Sequence, residues 1–154
     1  MKIWITTLGE EKKVSSSIVV ADSDALIALV LENDPHHKKA QQIANLLTKR
    51  LIPTIFPVTV FPEAITSLKR AANQPQKAHL LNRQYLAGAF QVEYISEQIM
   101  KRAAEIFDQT ISKKNTLFDA IVAATAESLK AEAIFSFNSW YPKLGFKLVL
   151  EMKF

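Results

Sequence analysis

The chain reads as a three-layer α/β/α domain on a mostly parallel central sheet of four to five strands, and three observations predict it. Short apolar runs rich in β-branched residues, residues 18–21 first among them, lack the polar alternation of a half-exposed strand and suit strands buried on both faces. Those runs alternate with stretches of helical period, single or paired, as strand–crossover–strand units require. The 154 residues, 49% hydrophobic with only three glycines, are enough to bury one core without disulfides, so one domain is expected.

Residues 1–17 carry a short mixed segment and then a polar stretch, and are read as an N-terminal extension, either an edge strand or a mobile arm, ahead of a single domain at 18–154. Residues 18–22 form the first strand, with a helix at 25–32 directly after it. Asn33-Asp34-Pro35 offers a cap and then a proline at a first helical position, opening a helix that buries Ala40, Ile43, Ala44 and Leu47 and pairs antiparallel with the one before. Residues 52–56 give the second strand. The helix at 58–72 carries the stripe Phe61, Ile65, Leu68 and Ala72, with Pro62 in its first turn, where a missing N–H does no harm. Gln74-Pro75 restarts a helix through Leu80, Leu81, Tyr85 and Leu86, which Gly88 ends. Residues 90–95 alternate, marking a strand nearer the sheet edge. Ser96 caps a helix expected to bury Met100, Ala103, Phe107 and Ile111, and Asn115 or Thr116 caps an alanine-rich helix at 117–130. A fourth strand at 133–137, a turn at 142–145 and a last strand at 146–150 complete the pattern.

Composition excludes several classes. Without cysteine there is no thiol catalysis, thiolate zinc site or disulfide framework, and an intracellular setting fits. The longest apolar run, 25–31, is far below the roughly 20 residues of a spanning helix, and the first residues lack the apolar core of a secretory signal. A cytoplasmic protein with no membrane partner is expected. The net charge of +4 comes from paired cations such as Lys49-Arg50, Lys69-Arg70 and Lys113-Lys114. Each pair alone reads as a solvated helix face; together they favour a polyanionic partner.

The chemistry lies in the acids. Asp22 closes the first strand at its carboxyl end, and Asn138 leaves the fourth in the same sense. Glu63 stands one turn into the helix after the second strand, and Asp119 in the first turn of the alanine-rich helix. In a parallel sheet these element ends share one edge, where sites lie. Singly, Asp22 can cap a helix, Asp119 can sit well in a helix dipole and Glu63 can be solvated. As a set they are harder to explain, because acids on apolar stretches need a cation or donors to compensate them, and a hard divalent metal takes carboxylates. His36 and His37, adjacent in an exposed first turn, and the isolated His79 are left out. Trp140 and Tyr141 suit either base stacking or the core.

At this point a resemblance becomes specific. Val20-Ala21-Asp22-Ser23-Asp24-Ala25-Leu26-Ile27, with Asp34-Pro35-His36-His37 after it, resembles the amino-terminal signature of PIN-domain ribonucleases, whose bacterial members are largely VapC toxins. Phe61-Pro62-Glu63-Ala64-Ile65, Leu117-Phe118-Asp119-Ala120-Ile121 and Ile134-Phe135-Ser136-Phe137-Asn138 continue it in the family's order, across nearly all of 18–150. The resemblance implies a PIN-like fold, Mg²⁺ or Mn²⁺ held by Asp22, Glu63 and Asp119, and hydrolysis of RNA phosphodiester bonds as an endoribonuclease. It further implies a small antitoxin as protein partner and a homodimer. Asp24 and Ser136 are auxiliary candidates, Ser136 as a hydrogen-bond donor to water or phosphate. Lys69 and Arg70 are candidates for RNA backbone contact.

One position departs from the family, which usually has an aspartate after the fourth strand. Asn138 there can offer a metal only a carbonyl oxygen and removes one negative charge, which lowers affinity for a hard cation. A catalytically weakened RNA- or protein-binding module is therefore the alternative expectation. A third reading, a haloacid-dehalogenase-like phosphatase with Asp22 as nucleophile and Asp24 as acid or base, lacks the later acid pair it needs.

Overall fold

The computed structural model describes the backbone of residues 3–7 and 10–14 and the whole of residues 17–154. Strands β1 (Ile3–Thr7) and β2 (Glu10–Val14) pair antiparallel as a separate two-stranded sheet. The rest of the expectation for residues 1–17 lies outside the described residues.

Strand β3 (Val19–Ala21) is wholly buried, as its unbroken apolar run requires of a strand covered on both faces. Helix α1 (Ser23–Val30) follows after one residue, and α2 (His37–Lys49) packs against it. Strand β4 (Thr54–Pro57) leads to α3 (Val60–Arg70) and α4 (Pro75–Leu86), with Pro75 in the first turn and Gly88 past the last, at the positive φ of 75° that favours glycine there. Strand β5 (Gln91–Glu93) is half exposed, α5 (Glu97–Asp108) starts on the Ser96 side chain, and α6 (Leu117–Ser128) starts on Thr116. Strand β6 (Ala133–Phe135), a short helix α7 (Trp140–Lys143) and a 3₁₀ turn at Val149–Glu151 end the chain.

The four strands run parallel in the order β5-β4-β3-β6, flanked by helices as a three-layer α/β/α domain. Because β3 is central and every strand points the same way, the residues that leave the carboxyl ends of β3, β4 and β6 reach one edge. Phe61 of α3 packs on Phe56 of β4, Phe90 and Tyr85 at centroid distances of 5.9, 5.1 and 4.7 Å, which fixes the helix that carries Glu63.

Three expectations change. The last strand at 146–150 shrinks to one parallel bridge, Ile134 to Leu148, because Glu151 Oε2 accepts the Leu148 N–H and draws the chain into the 3₁₀ turn. Helix α5 buries Ile99, Ala103 and Ile106; Met100 and Phe107 are largely exposed, and Ile111 lies beyond the helix at 98% exposure. Asp34 does not cap α2: its carboxylate accepts the His36 N–H in a turn that ends before the helix begins.

Candidate active site

Asp22 is the residue between β3 and α1, only 3% exposed. Its backbone N–H still bonds Phe135 of β6, so the carboxylate stands where the central pair of strands ends. Oδ1 accepts the Ser23 N–H at 2.6 Å, and Oδ2 accepts the Tyr141 hydroxyl at 2.6 Å. Burial first, and then the neighbouring Asp24 charge, push the Asp22 carboxyl up to about 8.

Three more acids converge on it. Asp24, one position into α1, accepts Ala25 N–H on Oδ1 and both Phe137 N–H (2.8 Å) and Ser136 Oγ (2.9 Å) on Oδ2, so it ties the start of α1 to the end of β6. Glu63, in the first turn of α3, accepts the Ser23 hydroxyl. Asp119, at the third position of α6, accepts the Thr116 N–H at 2.7 Å in a reciprocal capping box. Burial leads in raising the pKa of each, and the Asp119 charge adds to the rise at Asp22, Asp24 and Glu63.

None of the ion pairs among the described residues includes Asp22, Asp24, Glu63 or Asp119. Four half-buried to buried carboxylates whose pKa values are raised, chiefly by burial, with no arginine or lysine among the described residues paired to them, make a donor set suited to a hard divalent cation. As the side chains stand, no three Asp, Glu or His groups among the described residues are gathered tightly enough to hold an ion. Like charges explain the spacing: Glu63 turns to Ser23 and Asp119 to Thr116, each taking a donor from its own surroundings.

The remaining candidates divide. Ser136, 1% exposed, donates to Asp24 and stands 3.5 Å from Asp22, within the cluster. Asn138 sits at its margin, with Oδ1 accepting the Trp140 N–H at 3.0 Å and Nδ2 reaching Asn115 Oδ1 at 3.4 Å. Lys69 and Arg70 are exposed in the last turn of α3, roughly 10 Å along the helix axis from Glu63. His36 stacks flat on Phe137 at 4.2 Å and His37 Nδ1 contacts the Ala28 carbonyl, so neither joins the acids.

Tyr141 is the residue that sequence reasoning undervalued. Fully buried, it places its hydroxyl on Asp22 and within 3.5 Å of the Asp119 carbonyl. Burial and the Asp22 charge hold that phenol well above the usual tyrosine range, so it acts as a donor. The available signal was a tyrosine where plain core packing needs no hydroxyl.

An acid-edged, three-layer domain with its acids at the carboxyl ends of parallel strands defines the class. The sequence profile of the PIN domain matches residues 19–147, and the chain belongs to that family. No curated protein matches it in sequence. Among solved structures it is similar to VapC20 of Mycobacterium tuberculosis, a sarcin-ricin loop cleaving toxin, at 19% identity and TM-score 0.71 over 83% of this chain and 95% of that one. VapBC2 of Rickettsia felis, bound to a DNA fragment from its promoter, is similar at 14% identity and TM-score 0.61 over 85% and 96%. A toxin–antitoxin complex from Klebsiella pneumoniae is similar at 20% identity and TM-score 0.53 over 79% and 87%.

Proposed function

We propose that the chain is a metal-dependent endoribonuclease, the toxin of a toxin–antitoxin pair. The observation that carries this reading is the group of four carboxylates with raised pKa values, Asp22, Asp24, Glu63 and Asp119, that no cationic side chain among the described residues pairs with. Asp22, Glu63 and Asp119 would hold Mg²⁺ or Mn²⁺, which lowers the pKa of water and offsets charge building on the phosphate.

The chain's own residues do the rest. The Ser23 N–H takes one lone pair of Asp22 Oδ1 and the Tyr141 hydroxyl one of Oδ2, with the Ser136 hydroxyl 3.5 Å from Oδ2, which fixes the carboxylate's plane and leaves Oδ1 with a lone pair free. Ser23 orients Glu63, and the Thr116 box orients Asp119. Asp24 supplies the fourth negative charge while pinning Phe137 and Ser136. Asn138 stands at the margin of the ligand set: its side-chain oxygen gives one of two lone pairs to the Trp140 N–H, and an uncharged amide oxygen is a weaker partner for a hard cation than the three carboxylates. Lys69 and Arg70 would meet an RNA backbone only after it leaves the acid edge.

The similar VapBC and toxin–antitoxin structures support an antitoxin as partner. A homodimer and a cytoplasmic setting belong to the same reading, and no helix among the described residues is long and apolar enough to cross a membrane. The test is to incubate the purified protein and Asp22→Asn with structured RNAs and Mn²⁺ or Mg²⁺. Cleavage by the wild type alone is expected; Mn²⁺ binding with no cleavage of any RNA would favour the binding module instead.

A further inference from the structure

A cleft of about 500 Å³ begins at Asn115, Trp140, Lys143 and Phe146 and runs along Ile106 to the Arg102–Glu127 pair; none of the four acids lines it. Two of its walls join the acids directly. Asn115 immediately precedes Thr116, which bonds Asp119, and Trp140 stands between Asn138 and Tyr141, which bonds Asp22. A strand whose phosphate sits at the acids has its neighbouring nucleotide within reach of this cleft. The acids repel phosphate, and the exposed Lys113 and Lys114 on the adjoining loop, with exposed Lys143 in the cleft wall, give the chain a cationic route away from them.

The two amides fix what the cleft offers. The Trp140 N–H can be accepted only by a carbonyl oxygen, which sets the orientation of the Asn138 side chain. Its NH₂ then points to Asn115 and is accepted by Asn115 Oδ1 at 3.4 Å. With its oxygen turned toward Asn138, Asn115 keeps its own NH₂ for the cleft; among the described residues that NH₂ has no hydrogen-bond partner.

Resting on the ribonuclease reading, we propose that this cleft holds the base next to the scissile phosphate, that Asn115 is the residue that selects it, and that Asn138 orients Asn115. A donor-only NH₂ favours a base edge that presents a carbonyl oxygen over one that presents an amino group, so uracil is preferred to adenine. Ile106 and Phe146 supply apolar walls for its faces. An aspartate at 138 keeps the Trp140 bond but has no hydrogen to give, so Asn115 turns over, donates to it, and shows the cleft its carbonyl oxygen.

The experiment measures cleavage of single-stranded RNAs that differ only at the nucleotides flanking the cut, with Mn²⁺ affinity read separately by calorimetry for each protein. The wild type is expected to prefer uracil over adenine at one flanking position by roughly five- to tenfold, the size of one neutral hydrogen bond. Asn115→Ala flattens that preference and leaves the Mn²⁺ dissociation constant within about twofold, since Asn115 does not meet the ion, while Asn138→Asp moves the preference toward adenine. An unaltered preference in both variants, or a Mn²⁺ dissociation constant that Asn115→Ala changes severalfold, overturns the subsite and leaves the nuclease standing. If the wild type cleaves no RNA, both readings fall together.

Discussion

Two groups of carboxylates in this molecule obey the same electrostatics with opposite results. On the outer face of α5 and α6, Arg102 sits between Glu127 at 2.7 Å and Glu105 at 3.0 Å, all well exposed. The hydrogen bond to Glu127, first among its partners, holds the guanidinium above its ordinary pKa, and one cation serves both acids. At the sheet edge Asp22, Asp24, Glu63 and Asp119 have donors but no paired cation among the described residues, and every pKa rises. The first group is complete as it stands. The second is satisfied in hydrogen bonds and unsatisfied in charge, which is what a site for a cation looks like from the protein's side.

The contrast breaks most visibly in activity. Asp119→Asn should reduce RNA cleavage at least about a hundredfold, because it removes a negative charge that would hold the metal, whereas Glu105→Gln should leave the rate unchanged in the same assay. Next in size is stabilisation by metal. Mn²⁺ at a hundred times its dissociation constant should stabilise the wild type by about 2.7 kcal/mol, and thermal unfolding of Asp22→Asn should show little of that gain.

The pH dependence sharpens the difference further. The Asp22 carboxyl titrates near 8 when folded and near 3.8 when free, so between those values the folded state holds a proton that the unfolded state has lost. Metal-free stability should therefore fall as pH rises from about 4 to about 8, and Asp22→Asn should flatten the slope in denaturant titrations at several pH values. A metal-free wild type that gains stability across that range would show the acids to be compensated by something else. Smaller still, Tyr141→Phe should cost about 1 kcal/mol in unfolding free energy and weaken Mn²⁺ binding roughly tenfold. Smallest of all, Glu105→Gln should shift Tm by less than about 3 °C.

Much of this was legible in the chain because it depends on local pattern. The all-apolar run at Val19–Ala21 is the doubly covered strand its pattern suits, and of the two caps offered for the alanine-rich helix, Asn115 or Thr116, the structure uses Thr116. What escaped depends on contacts between distant segments. In α5, Met100-Ala103-Phe107 and Ile99-Ala103-Ile106 are equally good helical stripes that share Ala103; packing against α6 decides between them. The Tyr141 bond to Asp22 spans 119 residues and the Asn115 bond to Asn138 spans 23, and no periodicity reports such pairs. For the same reason the aspartate-to-asparagine change after β6 read in sequence only as a lost charge, while in space it is an amide whose two ends are both engaged.

Asp22 is carried by the central strand, with Val19, Val20 and Ala21 at 0% exposure behind it, whereas Asn115 ends an exposed loop between two helices. Segments of those two kinds differ in how freely they accept mutation. On the ribonuclease reading, a lineage that exchanges residues 109–115 would drift toward a new RNA target while the acids at the sheet edge are inherited unchanged.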